Sequence, residues 1–141
     1  NVKDELPKDV LFFVDTSASI NDETLSMVYA EIYGCLNQFD GKLKGLLAFF
    51  DTKVSRPIAF ESIEDIQGII PKGGGGTNFY SIFNFLKKEY GNITPSNIVI
   101  FTDGEGEYPR YQDTLGIPVL WLYTNENAIA PWGRSAVINN T

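Results

Sequence analysis

Oxygen-bearing side chains stand at three places where an apolar segment ends or begins. Asp15, Ser17 and Ser19 follow the first apolar run in the stretch DTSAS, Thr77 follows four consecutive glycines, and Asp103 follows another apolar run in TDG. A set of carboxylates and hydroxyls, without nitrogen or sulfur, suits a hard divalent cation such as Mg²⁺, Mn²⁺ or Ca²⁺ and disfavours zinc. These residues could form one metal site, provided that the fold brings them together.

The segments around these residues predict an α/β fold. Apolar runs alternate with segments whose apolar residues recur at helical spacing, which is typical of a mostly parallel sheet with helices on both faces. The third run follows the second after only three residues, so it should pair antiparallel, and Pro57 places it at the sheet edge. The predicted strands are residues 10–14, 43–50, 54–60, 97–101, 119–123 and 135–139, and the predicted helices begin near Asn21, Ser62 and Phe79.

A doubly wound, Rossmann-like sheet would bring the three groups to one crevice. In the strand order 3-2-1-4-5-6, the first and fourth strands are neighbours, and ligands bind where their carboxyl ends flank the topological switch point. Asp15 leaves the first strand, Asp103 leaves the fourth, and Thr77 opens the helix before the fourth strand. The glycines at 73–76 allow the backbone to pass close to that point. The sequence thus predicts a cation site at this switch point.

The length and charge of the chain limit the number of domains and the kinds of partner that it can have. Its 141 residues fit a single domain, 1–141, in which residues 1–9 are a loose lead-in. The net charge is −7 and no basic patch is present, which argues against a nucleic-acid partner. No apolar run approaches the roughly 20 residues of a membrane span, so we expect no membrane partner. A single cysteine, Cys35, is compatible with a reducing compartment.

The absence of histidine excludes several kinds of catalysis. The sequence has no Ser-His-Asp or Cys-His arrangement, no HExxH zinc site and no imidazole for acid–base chemistry. The phosphate-binding pattern G-x-x-x-x-G-K-[ST] is also absent, because the glycine run leads to Thr77 without a preceding lysine. The composition therefore favours a binding protein over an enzyme.

Three short stretches, DTSAS, GGGGTN and FTDG, resemble the metal-ion-dependent adhesion site of von Willebrand factor type A (VWA) domains. The stretches TDGEGEYP and IPVLWLYTNENAIAPWGRSAVIN are similar to a bacterial VWA-like family whose longer members carry an N-terminal metallopeptidase-like region. The resemblance implies that Ser17, Ser19 and Thr77 bind the metal directly, and that Asp15 and Asp103 act largely through water. The implied cofactor is a divalent cation, Mg²⁺ before Mn²⁺ or Ca²⁺.

This resemblance implies a metal-ion-dependent protein-binding module. The direct ligands would be neutral hydroxyls, which leave the cation electron-poor and one coordination position open. An Asp or Glu carboxylate of a partner protein would occupy that position. A partner complex with a MoxR-type AAA+ ATPase and a cytoplasmic location are implied by the family alone.

The stretch after the threonine departs from the family pattern. The family commonly has Asp at the next position, whereas this chain has Asn78. The missing charge could weaken metal affinity or admit a more acidic partner. Asn78 and Glu105, which closely follows Asp103, are candidate partner-binding residues. Two alternatives stay open: a Mg²⁺-dependent aspartyl-phosphate phosphotransferase, and a scaffold whose metal site has decayed.

Overall fold

The chain folds around one six-stranded sheet. The structure is a computed structural model, and it describes residues 8–16, 22–38, 43–69, 71, 75–89 and 97–138. In chain order, the elements are β1 (Lys8–Asp15), α1 (Asp22–Gln38), β2 (Leu43–Phe50), β3 (Ile58–Phe60), α2 (Tyr80–Glu89), β4 (Asn97–Thr102), β5 (Val119–Tyr123) and β6 (Arg134–Val137), with 3₁₀ turns at Ile63–Asp65 and Tyr111–Asp113. The strand order is β3-β2-β1-β4-β5-β6, and each neighbouring pair is parallel except β2 with β3. The predicted doubly wound sheet with an antiparallel edge strand is confirmed.

The strands send alternate side chains into two apolar cores. Phe12 and Phe13 are consecutive in β1 and both are 1% exposed, yet Phe12 belongs to the core under α1 and Phe13 to the core under α2. Ile32 of α1 and Ile82 of α2 are fully buried in their respective cores. Each large apolar side chain buried in this way contributes about 1.5–3 kcal/mol. The sheet is therefore covered by a helix on each face, as predicted.

Within the described ranges, neither α1 nor α2 combines the length and apolarity that a bilayer crossing requires. Val28 and Ile32 of α1 pack in one core, and Ile82, Phe83 and Leu86 of α2 pack in the other.

The third strand is shorter than predicted. Only Ile58–Phe60 pairs with β2, whereas residues 54–60 were expected to do so, and Val54 forms a single isolated bridge with the end of β2. Between these segments the hydroxyl of Ser55 accepts a backbone N–H of β2 at 2.9 Å, so a side chain replaces the strand carbonyl there. Pro57 has no N–H to donate. These two residues interrupt the edge strand.

Other boundaries also differ from the prediction. The last strand, expected at residues 135–139, is Arg134–Val137. β1 begins at Lys8, so the last two residues of the expected lead-in 1–9 belong to the sheet, where they pair with the start of β2. The helix expected after Ser62 is a single 3₁₀ turn. The Asp65 carboxylate accepts the N–H of Glu61 at 2.9 Å and that of Ser62 at 3.2 Å, and these two bonds lower the pKa of Asp65. The chain then turns at Gly68, whose φ is +82°.

Gly45 of β2 lies beneath the ring of Phe60, and we predict that Gly45→Ala destabilises the fold. A Cβ at this position would overlap the Phe60 ring, which is 2% exposed in the core under α1. Added volume in such a core costs about 1–3 kcal/mol. Urea unfolding followed by circular dichroism measures the loss in the free energy of unfolding.

Gly34→Ala is the matched control for this substitution. Gly34 lies on an exposed part of α1, with open space where a Cβ would stand. Alanine in a helix interior is favoured over glycine by about 0.5–1 kcal/mol, so this variant should be more stable than the wild type. A Gly45→Ala protein as stable as the wild type would contradict the packing of Phe60 on β2.

Candidate metal centre

Asp15, Thr77 and Thr102 form a hydrogen-bonded group at the carboxyl ends of β1 and β4. Thr102 Oγ1 donates to Asp15 Oδ2 at 2.6 Å. Thr77 Oγ1 lies 3.4 Å from each carboxylate oxygen of Asp15. Asp103 follows Thr102 directly in the chain. The fold thus brings two of the predicted ligands, Asp15 and Thr77, into contact and ends β4 one residue before the third, Asp103.

The other two predicted ligands, Ser17 and Ser19, lie outside the described residues, and their roles stay a prediction. The structure does show how the chain leaves β1 towards them. The N–H and the hydroxyl of Thr16 both bond the carbonyl of Phe50, at 2.9 and 3.0 Å. Thr16 is 3% exposed. Thr16, the last described residue before the serines, is therefore fixed to the end of β2.

Thr102 is a site residue that the sequence analysis does not include. Its side chain is 2% exposed, and its hydroxyl also accepts the N–H of Gly104 at 3.1 Å. The pairing register of β1 with β4 is the observation that identifies Thr102. β1 and β4 pair Val14 with Phe101, so the next residues, Asp15 and Thr102, stand side by side with their side chains on the same face of the sheet.

Asp51, at the end of β2, is a second residue missing from the prediction. A Cβ on Gly75 would stand only 3.1 Å from Asp51 Oδ2, so the backbone at Gly75 passes close to this carboxylate. The backbone carbonyl of Asp51 accepts the N–H of Asn78 at 3.0 Å, and its Oδ1 accepts the N–H of Lys53 at 3.0 Å. Asp51 therefore ties the loop that delivers Thr77 to the end of β2.

The loop that carries Thr77 packs against the loop that follows Asp103. A Cβ on Gly106 would stand 2.8 Å from Thr77 Cγ2, a distance that real Cβ atoms do not tolerate. One residue further along each loop, Asn78 and Glu107 form an isolated parallel bridge. Contact between the two backbones therefore limits how far Thr77 can move relative to the Asp103 loop.

The two candidate partner-binding residues differ in what their side chains do. Asn78 is half-buried, and its Oδ1 accepts the N–H of Tyr80 at 3.0 Å, which makes it the N-cap of α2. Glu105 is exposed, and its backbone N–H donates to Asp103 Oδ1 at 2.9 Å. The amide oxygen of Asn78 is therefore engaged by the helix, whereas the Glu105 carboxylate is accessible from solvent.

The side chains at this edge fit a hard cation by their chemistry. Asp15, Asp103 and Thr77 offer only oxygen atoms, which magnesium, manganese and calcium accept. In the part of the chain that the structure describes, no group of three or more Asp, Glu, His or Cys side chains is arranged to hold a metal. Hydroxyl groups would have to complete the coordination, as they do in the predicted set.

The fold of this chain is similar to that of two proteins of known structure. An aerotolerance-related membrane protein from Bacteroides fragilis matches with a TM-score of 0.56 and 17% identity, over 82% of this chain and 67% of its own. The ArnB paralog VWA2 from Sulfolobus acidocaldarius matches with a TM-score of 0.58 and 15% identity, over 84% of this chain and 35% of its own. A comparison with curated proteins gives no significant match.

The sequence also matches a family of VWA-like domains across residues 10–139. This range contains the stretches DTSAS, GGGGTN and FTDG and nearly the whole sheet. A VWA-like fold suggests a protein-interaction module. The match covers most of the chain, and the chain therefore belongs to the VWA-like domain family DUF2201.

Proposed function

We propose that this chain is a metal-ion-dependent protein-binding module whose divalent cation accepts a carboxylate from a partner protein. The supporting observation is the hydrogen-bonded group at the switch point, where the hydroxyls of Thr77 and Thr102 converge on the carboxylate of Asp15. These oxygens come from three separate segments of the chain. They meet where ligands bind in doubly wound folds.

In the proposed site, hydroxyls bind the cation directly and carboxylates act through water: Ser17, Ser19 and Thr77 are the direct ligands, and Asp15 and Asp103 are the outer pair. The contacts of the two aspartates support an outer role. Thr102 holds one Asp15 oxygen at 2.6 Å, and the N–H of Glu105 holds one Asp103 oxygen at 2.9 Å. Carboxylates held in this way can accept hydrogen bonds from metal-bound water while their charge offsets that of the cation.

Neutral direct ligands determine what such a site can do. A cation held by hydroxyls keeps most of its positive charge, and a position filled by water stays exchangeable. The Asp or Glu of a partner can replace that water and form a charge-assisted contact. Mg²⁺ is the first candidate, because it retains several waters and needs few protein carboxylates, and Mn²⁺ and Ca²⁺ accept the same oxygen atoms.

The same residues argue for binding without catalysis. A metal-dependent hydrolase needs a general base within reach of the bound water, and both aspartates are assigned to the cation. Two sequence features argue against an aspartyl-phosphate phosphotransferase: the first strand is followed by DTSAS and not by a pair of acidic residues, and no lysine follows β4 or β5 to hold a phosphoryl group. The family resemblance suggests a MoxR-type AAA+ complex as the partner and the cytoplasm as the location.

Removal of a direct ligand should greatly weaken cation binding without unfolding the protein. We predict that Ser17→Ala and Thr77→Ala each weaken Mg²⁺ and Mn²⁺ binding by more than the roughly 10–100-fold that loss of an outer partner costs. Isothermal titration calorimetry measures the affinities. Ser26→Ala, which removes an exposed hydroxyl of α1, is the control and should bind like the wild type. Unchanged binding in both ligand variants would remove the basis of the proposal.

Restoration of the family aspartate should strengthen the site. We predict that Asn78→Asp keeps the α2 cap and raises cation affinity, because it adds a negative charge beside Thr77. Asn78→Ser, which caps the helix without a charge, is the matched control. The gain should shrink at about 1 M salt, where the Debye length is about 3 Å. Equal affinity for the two variants would show that this position does not influence the cation.

Partner binding should require both the cation and a carboxylate. We predict that the wild-type chain captures a protein from its native host with Mg²⁺ but not with EDTA, and that Ser17→Ala bait captures nothing. Replacement of the contacting Asp or Glu of that protein by Asn or Gln should have the same effect as EDTA.

The two alternative functions, a scaffold with a decayed metal site and a phosphotransferase, predict different results for the same proteins. Capture that is equal with Mg²⁺ and EDTA would indicate a scaffold with a decayed site. Phosphorylation by acetyl phosphate, lost in an Asp15→Asn protein, would indicate a phosphotransferase. Either result would exclude the proposed function.

A further inference from the structure

Hydrogen bonds connect the peptide units on both sides of Gly104 to the two aspartates of the proposed metal site, Asp15 and Asp103. The N–H of Gly104 donates to Thr102 Oγ1 at 3.1 Å, and this hydroxyl in turn donates to Asp15. The following peptide unit joins the carbonyl of Gly104 to the N–H of Glu105, which donates to Asp103 Oδ1 at 2.9 Å. The conformation at one glycine therefore influences the orientation of both carboxylates.

The carbonyl of that second peptide unit is held by a pair of tyrosines. The hydroxyl of Tyr108 lies 3.0 Å from the Gly104 carbonyl and 2.9 Å from the hydroxyl of Tyr123. Because a carbonyl can only accept, Tyr108 donates to Gly104, and Tyr123 is the donor between the two hydroxyls. Burial raises the pKa of both tyrosines, so both hydroxyls stay protonated at neutral pH.

The ring of Tyr108 packs against two buried aromatic rings. Its centroid lies 4.7 Å from that of Phe79 and 4.9 Å from that of Trp121, and both of these rings are fully buried. The turn above it is equally restricted, because Gly104 has a φ of +87° and a Cβ there would stand 2.6 Å from Ala128 Cβ. The Tyr108 hydroxyl is thus presented to the Gly104 carbonyl from a fixed position.

We propose that Tyr108 is a positioning residue for the metal site: its hydroxyl fixes the peptide unit between Gly104 and Glu105 and thereby the carboxylate of Asp103. Without this bond the peptide unit can rotate, and the N–H of Glu105 leaves the Asp103 oxygen. Cation affinity then falls although Tyr108 itself does not contact the cation. The inference rests on the proposed function and extends it to a residue below the site.

Tyr108→Phe and Tyr123→Phe form a matched pair for the test. Each removes one hydroxyl from the same network and keeps the ring, but only Tyr108→Phe breaks the bond to Gly104. We expect Tyr108→Phe to weaken Mg²⁺ and Mn²⁺ binding by about 10-fold or more, as for other outer partners of metal ligands. Tyr123→Phe should have a clearly smaller effect. Calorimetry measures the affinities, and thermal unfolding in EDTA tests whether the two variants lose similar stability.

Amide hydrogen exchange at Glu105 in EDTA supplies a readout that does not depend on the cation. We expect this amide to exchange faster in Tyr108→Phe than in Tyr123→Phe. Equal affinities, or equal exchange at Glu105, would overturn the inference and leave the proposed function intact. A wild-type protein that binds neither cation would overturn the proposed function and the claim about affinity together, whereas the exchange experiment would still decide whether Tyr108 positions the turn.

Discussion

The parallel pairing of β1 with β4 is the constraint on which the candidate site depends. Its register aligns Val14 with Phe101 and so places Asp15 beside Thr102, whose hydroxyl is 2.6 Å from the carboxylate. A shift by one residue would turn every side chain of β1 to the other face of the sheet. Both cores resist such a shift, because consecutive side chains of β1 are buried on opposite faces. Apolar packing far from the site therefore determines the contacts of its central carboxylate.

The long connection from β4 to β5 contains a single 3₁₀ turn and is held to the rest of the structure by aromatic side chains. The indole N–H of Trp132 donates to the carbonyl of Pro109 at 2.7 Å, and the indole N–H of Trp121 donates to the carbonyl of Trp132 at 3.1 Å. Tyr108 adds its bond to Gly104 at the start of the connection. Trp132 and Tyr108 thus satisfy two carbonyls of this connection, and Trp121 satisfies one in the next connection, between β5 and β6. This support makes a precise site on a loop possible.

The acidic residues around Thr77 would give a bound cation two roles in the proposed recognition of a partner. Asp51, Asp103, Glu105 and Glu107 all lie on the loops around Thr77, in a chain whose net charge is −7. Such a surface repels an acidic partner when no cation is present. A cation with neutral direct ligands would supply both the attachment point and the local positive charge, so that recognition of a carboxylate becomes conditional on the metal.

Short-range patterns in the sequence were sufficient to predict the six strands, the two long helices and the positions of Asp15 and Asp103 at strand ends, because apolar periodicity and turn residues act within a few residues of chain. The strand order was predicted from the usual architecture of doubly wound sheets, and the helix expected after Ser62 is a 3₁₀ turn. The two serines of DTSAS lie outside the described residues and remain predictions. The edge strand was predicted too long because the local pattern did not reveal that Ser55 bonds a backbone N–H of β2. The role of Thr102, which is 87 residues from Asp15, and that of Tyr108 beneath Gly104 could not be read from the sequence. Such contacts depend on register and loop packing, which are decided only when both cores close around the sheet.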